Sequence, residues 1–366
     1  MRRSHFVLLV LVLLVAQPLL AKTYYVGSCK TGAYGTIGAA VAAVPAGSTI
    51  NICPGTYSEQ VVISQPLTLK GVAGSGAAVV TVPAGGLTQY DDTWATVYYQ
   101  ILVQTTGPVN ITDLAVDGTG GSVPDTADFA GIYYLNSSGT VSEASVHNQI
   151  GTSPGYGIGI LAITTQATPA QTMSVQSSVV RDSGFGIFAQ QASNTYYQPG
   201  VLTLNVKSST IRIEGGPGVW IQGDVSGLIQ TNMISDTNPG LDLFDSSVTA
   251  TENTISAGVA NSFSTAYYLI SINGGSNTIK SNKLDAAGGL YGIYLAGPTD
   301  GSLIQSNTVA STQTAITGCT AALGYTVTNN TIIDANVGLS IPSGNTSTPN
   351  SFYDVGSVTA PCSGSE

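Results

Sequence analysis

What this chain has least of is charge. Asp, Glu, Lys and Arg make up 8% of its 366 residues, so its surface has to be built largely from Ser, Thr, Asn, Gln, Tyr and Gly. Basic residues are the rarer sign. Ten Lys and Arg stand against 20 Asp and Glu, and two of the ten, Arg2 and Arg3, lie within the first 21 residues. The rest of the chain holds eight basic against 20 acidic residues, a net charge of −12. Nothing in it resembles a basic stripe, which excludes nucleic acid and anionic membrane as partners. After residue 21 no apolar run is long enough to cross a membrane as a helix. A surface of neutral hydroxyls and amides suits hydrogen-bonding ligands such as glycans.

What is present recurs with a period. The stretch Gly218 to Ile255 holds a Gly-apolar-x-apolar segment (Gly218 to Ile221), a loop and an Asn-x-apolar segment (Asn232 to Ile234), then the same again from Gly240 and from Asn253. The first segment recurs from Gly131, Gly157, Gly186, Gly292 and Gly338, with weaker copies at Ala266 to Leu269 and Thr314 to Ile316. The second recurs around Asp113, Ser178, Ser209, Asn282, Asn307 and Asn330, in steps of 21 to 29 residues from Ser209 onward. Apolar residues alternate within each copy, the signature of strand rather than helix. One unit is too short to bury a core alone, so neighbouring units must stack into a solenoid whose every coil adds a strand to each of several parallel sheets. Asn232, Asn253, Asn282, Asn307 and Asn330 are expected to stack at one tight corner, their amides bonding along the axis.

The two ends read differently. Arg2-Arg3, an unbroken apolar run from Phe6 to Ala16, and a tail ending at Ala21 form a Sec-type secretion signal. Residues 22–366 are then a single domain, secreted or periplasmic, with a looser tail over 343–366. Four cysteines in an exported chain suggest two disulfides, and three pairings are possible. The 24-residue separation of Cys29 and Cys53 is about one coil and favours that pair, with Cys319 and Cys362 tying down the tail. Residues 34–44 read as a short helix with Thr36 as N-cap, Ile37, Ala40, Val41 and Val44 on one face, and Pro45 at its end. Its expected role is to plug the open end of the solenoid.

The segments Thr36 to Pro45, Ile50-Asn51-Ile52-Cys53-Pro54-Gly55-Thr56-Tyr57-Ser58-Glu59-Gln60-Val61-Val62-Ile63 and Leu67-Thr68-Leu69-Lys70-Gly71 carry a resemblance. They are similar to the opening of right-handed parallel β-helix proteins of the pectin lyase-like superfamily, above all pectinesterases and the β-helix proteins of nitrous-oxide-reductase maturation. The resemblance implies an all-β, single-stranded, right-handed parallel β-helix. It speaks to fold more than to function, because that scaffold hosts lyases, hydrolases, esterases, adhesins and spacers. The Asp-Phe-Ile-Phe-Gly block of pectinesterases and the motif series of polygalacturonases are absent from the sequence. After the leader, His147 is the only His and Met173 and Met233 the only Met, too few for copper delivery.

A candidate site follows from the periodicity. The position between two inward apolar residues faces outward, giving an expected column of Tyr133, Gly159, Phe188, Trp220, Asp242, Tyr268 and Tyr294. Its aromatic members are the candidate sugar-binding residues, Trp220 foremost. The only arginines after the leader, Arg181 and Arg212, fall at one-coil spacing beside Asp182, Glu214 and Asp236, with Asp224 and Asp245 beyond the column. One reading makes Asp224 and Asp242 the acid and base of glycoside hydrolysis. Another has Asp182, Glu214 and Asp236 hold Ca²⁺ while Arg181 or Arg212 helps take a proton from a uronate, as in lyases that the fold resembles. A third makes the charges a surface salt-bridge network. His147 reads as an exposed loop residue, and Tyr90 to Trp94 as a hairpin laying Trp94 on the wall. The expectation is a secreted protein that binds polysaccharide, and as an enzyme cleaves acidic glycan as a lyase or hydrolase. The alternative is a non-catalytic adhesin or envelope structural protein.

Overall fold

The computed structural model describes residues 22–361 apart from 75, 92–95, 125–126, 152–156, 166–168, 193–199, 215, 258–267 and 319–321. The leader, Trp94, Cys319 and Cys362 therefore lie outside the described residues. Each coil of the solenoid contributes to three sheets. In the coil from Leu202 to Gln222, Leu202–Lys207 lies in the first sheet, Thr210–Arg212 in the second and Val219–Gln222 in the third. The first sheet has 12 strands, all parallel. The second and third join into one 21-stranded system because late strands such as Lys283–Leu295 run across both. The single antiparallel pairing among the named strands is the hairpin of Gln89–Asp91 on Thr96–Val103.

Alternation sends one side chain in two to the axis. In the third sheet Ile132, Ile160, Ile187, Val219, Leu241, Ile270 and Ile293 stack as an inward column, each 0% exposed. Burying each such chain contributes about 1.5–3 kcal/mol. The apolar core is continuous from Val26 to Leu339.

Two corners make the coil possible. Between the first and second sheets, each ladder Asn donates Nδ2 to Oδ1 of the next at 2.9–3.0 Å, in the order Asn232, Asn253, Asn282, Asn307, Asn330, Asn350. The same Oδ1 accepts the backbone N–H of the preceding Asn, and the second amide proton goes to a first-sheet carbonyl such as Ile229 O for Asn253. The left-handed backbone that the corner needs falls on the residue before each ladder Asn from Asn232 to Asn330, with φ of 54° at Thr231 and 59° at Glu252, and not on the Asn itself. Side-chain amides are kept here for bonding along the axis.

Between the second and third sheets the bend carries glycine for lack of room. A methyl on Gly240 would lie 2.4 Å from Ile255 Cγ2, and one on Gly159 would lie 2.5 Å from Val180 Cγ1. Both neighbours are inward-facing residues of the second sheet. Gly159 and Gly240 are therefore inner-corner residues, pressed on the core.

The expected end plug is Ile37–Ala43, with Thr36 Oγ1 accepting from Ala39 N and Ile37, Ala40 and Val41 buried. Two further clamps hold it. The Glu59 carboxylate accepts from Ile37 N at 2.7 Å and Gly38 N at 2.8 Å, and Gln65 Nε2 donates to Val41 O and Val44 O. The Cys29–Cys53 disulfide joins adjacent coils at a Cα separation of 5.6 Å. The stretch after Pro342 is not loose throughout, since Ser351–Thr359 forms a final strand on Thr331–Ser340. No helix among the described residues is long and apolar enough to cross a membrane.

Candidate functional site

The outward column of the third sheet runs Leu102, Tyr133, Leu161, Phe188, Trp220, Asp242, Ser271, Tyr294, Thr317 and Ser340 in strict register. Two expected members are displaced, the first by two residues and the second by three. Gly159 lies at the corner opposite Gly131 and Gly186, so Leu161 takes its place in the column, and Tyr268 pairs with Tyr291, so Ser271 takes its place. The copies that hold Gly157 and Tyr268 begin before the bend, which periodicity alone could not see. Reading Ile270-Ser271-Ile272 as the alternating core pair would have found the second shift.

The column is not uniformly outward in effect. Tyr133 is 2% exposed, Leu161 0% and Phe188 8%. They belong to a second apolar cluster on the outside of the solenoid with Val97, Tyr99, Ala130 and Ile158, against which Tyr90 of the hairpin packs. Tyr133 and Phe188 thus act as core and are not available to a sugar, contrary to expectation. Trp220 is the last member, half-buried, stacked on Phe188 with centroids 4.5 Å apart at 11° and met edge-on by Phe185.

One coil beyond Trp220 the aromatic stack breaks at Asp242. One coil further, Ser271 is small, but Tyr268 of the same strand leans round the corner to stack on Tyr294 with centroids 5.1 Å apart at 19°. Tyr291 adds a third ring 6.0 Å from Tyr294. The rings therefore repeat along the axis with one member missing, over Asp242. With coils ~4.8 Å apart, the coils of Trp220 and Tyr268 lie about 10 Å apart along the axis, with Asp242 on the coil between them.

Asp242 takes the outward position between those two coils. Burial pushes its carboxyl above the usual carboxylate range, against the opposing pull of a hydrogen bond with Ser271. Burial also raises the Tyr268 hydroxyl, and the Asp242 charge adds to it, which places the two groups together. A desolvated carboxyl holds its proton more readily than an exposed one, or pairs with a cation.

The charged cluster lies elsewhere, on the second sheet. Asp117, His147, Arg181 and Arg212 occupy one register column there. Arg181 Nη1 pairs with Asp182, and Arg212 Nη2 donates to Asp182 Oδ1 at 2.9 Å. Arg181 and Arg212 thus bridge through Asp182 and do not share a site with Asp242. His147 is a strand residue, 14% exposed in its side chain, with Nδ1 3.5 Å from Asp117 Oδ1, not the exposed loop residue expected. Ser145-Val146-His147 matches Val179-Val180-Arg181 and would have revealed this. Burial lowers the His147 pKa, with Asp117 opposing and Arg181 reinforcing. Burial alone would raise Asp117, but hydrogen bonds from Thr119 and Asn148 hold its carboxyl below the usual range.

Two further expectations are corrected. Asp224 sits in the exposed turn after Val219–Gln222, its backbone N–H donating to Gln191 Oε1, and is not beside Asp242 on the sheet. Asp182, Glu214 and Asp236 do not converge: among the described residues no three His, Cys, Asp or Glu could hold a metal ion, and both Asp182 oxygens face arginines. These residues do not fit Ca²⁺.

A family model described as a right-handed beta helix region matches residues 198–353. Among solved structures, a GH136 lacto-N-biosidase from Eubacterium ramulus is similar over 91% of this chain and 68% of its own, at 11% identity and a TM-score of 0.61. The A-module of a mannuronan C-5 epimerase from Azotobacter vinelandii is similar over 88% of this chain and 91% of its own, at 13% identity and a TM-score of 0.51. No curated protein matches the sequence. The chain thus has the fold of a right-handed parallel β-helix.

Proposed function

We propose that the protein binds polysaccharide across the outer face of the third sheet, with one sugar ring in a slot between Trp220 and Tyr268. The observation that carries this is the one-ring gap in an otherwise continuous aromatic stack, with Asp242 on the coil between. Aromatic faces offer a flat apolar surface to a pyranose, and Asp242 and Ser271 offer polar partners at its edge. Asp242 is the acid–base group that faces the bound chain, since burial makes its carboxyl take up a proton more readily than a free one. The reading agrees with the use of this scaffold by a lacto-N-biosidase and by a mannuronan epimerase. The protein is also proposed to be exported, and N-terminal sequencing of the released form should begin at Lys22.

The test is a panel of neutral, amino and acidic polysaccharides, following retention and new reducing or unsaturated ends together. Trp220→Ala and Tyr268→Ala are each expected to weaken retention about tenfold, and Asp242→Asn to abolish product while the protein stays folded. Retention that survives both aromatic substitutions would remove the slot from the function.

A further inference from the structure

The slot has an unusual electrical character. Its column carries, from Phe188 onward, Trp220, Asp242, Ser271, Tyr294, Thr317 and Ser340, and the next outward column carries Gln190, Gln222, Phe244 and Asn273. Asp242 is the only charge in the two columns. The nearest arginines in sequence, Arg181 and Arg212, are on the second sheet and engaged with Asp182.

Taking the slot as a glycan site, as proposed above, we infer that it selects a sugar bearing a free, protonated amino group over neutral and uronic sugars. Three classes of ring can be compared at Asp242. A uronate would bring a second carboxylate to a desolvated one, with no cation in either column to offset the repulsion. A neutral ring leaves Asp242 to keep its proton or bear the cost of burial alone. An ammonium group supplies the missing counter-charge, and the same slot places it against the faces of Trp220 and Tyr268, where the ring quadrupoles attract a cation. Ser271 uses one of several lone-pair positions on the carboxylate, so others remain for an ammonium donor.

The geometry restricts where the amine can sit. A ring continuing the Phe188–Trp220 stack at its 4.5 Å spacing lies directly over the Asp242 coil. A substituent on its sheet-facing edge then points at the carboxylate. Acetylation of that amine removes the charge and adds bulk where Asp242 is closest.

Titration calorimetry of the purified protein with oligomers of glucosamine, N-acetylglucosamine, glucose and galacturonate tests this at near-neutral pH. Glucosamine oligomers should bind at least tenfold tighter than the two neutral kinds, and galacturonate weakest. Asp242→Asn should bring glucosamine and glucose oligomers to parity. Because the whole chain is acidic, Asp285→Asn serves as the control: it removes the same charge from the exposed face of the second sheet and should leave the preference intact. A preference that survives Asp242→Asn, or that falls equally with Asp285→Asn, overturns the assignment. Neutral oligomers binding as well as amino oligomers overturns the amine alone and leaves the glycan reading standing. An absence of binding across all four sinks the glycan reading and this one with it.

Discussion

Two stretches of one column teach different things. From Leu102 to Phe188 and from Trp220 to Tyr294 the outward position of the third sheet has the same backbone geometry and the same in-register stacking. In the first stretch Tyr133 and Phe188 are covered and belong to a second apolar cluster, with exposures of 2% and 8%. In the second, Trp220, Asp242 and Tyr294 stay partly open, and one ring is missing from the stack. Facing outward on a solenoid therefore does not make a residue a ligand contact. What covers the sheet decides whether an aromatic side chain contributes to stability or remains free to bind.

The sharpest way to break this comparison is Tyr133→Ala. Removal of a buried aromatic side chain should cost about 3–5 kcal/mol, seen as a lower denaturation midpoint, with glycan retention per folded molecule unchanged. Loss of retention at full stability would put Tyr133 back in the site.

Next in size is the corner ladder. Asn253→Ala leaves the Asn232 N–H and amide without their acceptor, and at about 1–3 kcal/mol per buried orphan a loss of roughly 2–4 kcal/mol is expected in chemical denaturation. Asn253→Ser should lose less, since Ser178 and Ser209 fill the same corner in earlier coils.

Asp128 and Asp242 give a smaller contrast, read through pH. Asp128 opens the strand whose register partner is Val97 of the covered cluster, and burial pushes its carboxyl up to about 6 from 3.8. A folded-state pKa above the unfolded one means that ionisation disfavours the fold, so stability falls as pH rises from 3.8 to about 6. Asp128→Asn escapes that loss. Thermal melts should show it more stable than wild type by about 1–2 kcal/mol at neutral pH after discounting for solvent, and equal below pH 3.8. Asp242→Asn should shift stability in the same direction, its carboxyl also being raised, but with loss of product formation. The smallest stability effect is expected for Tyr294→Ala, about 1 kcal/mol or less, with a clear loss of retention. Equal stability losses for Tyr294→Ala and Tyr133→Ala would dissolve the distinction between the two stretches.

Much of the fold was legible because it repeats. Alternation marked the strands, the Asn series marked one corner, and the 24-residue cysteine spacing marked one coil. The site was legible in part. Trp220, Asp242 and Tyr294 fall where periodicity puts them, whereas Tyr133 and Phe188 fall in the column but under cover. Tyr268 reaches the site from outside the column, around a corner. Ser271 and His147 went unread because the spacing of their coils shifts by three residues or lacks the leading Gly or Asn.

By itself the sequence determined the solenoid, its plugged N-terminal end and its acidic, cation-poor surface. Each of these follows from local alternation, composition or a repeated interval, and those survive in one dimension. Only the tertiary structure decided which outward side chains are covered, that the arginine pair lies on the second sheet away from Asp242, and that Tyr268 stacks on Tyr294 from outside the column. Those depend on where the chain bends at each corner and on what packs against the outside of a sheet. Contacts between coils and across corners join residues far apart in sequence, and no periodic pattern records them.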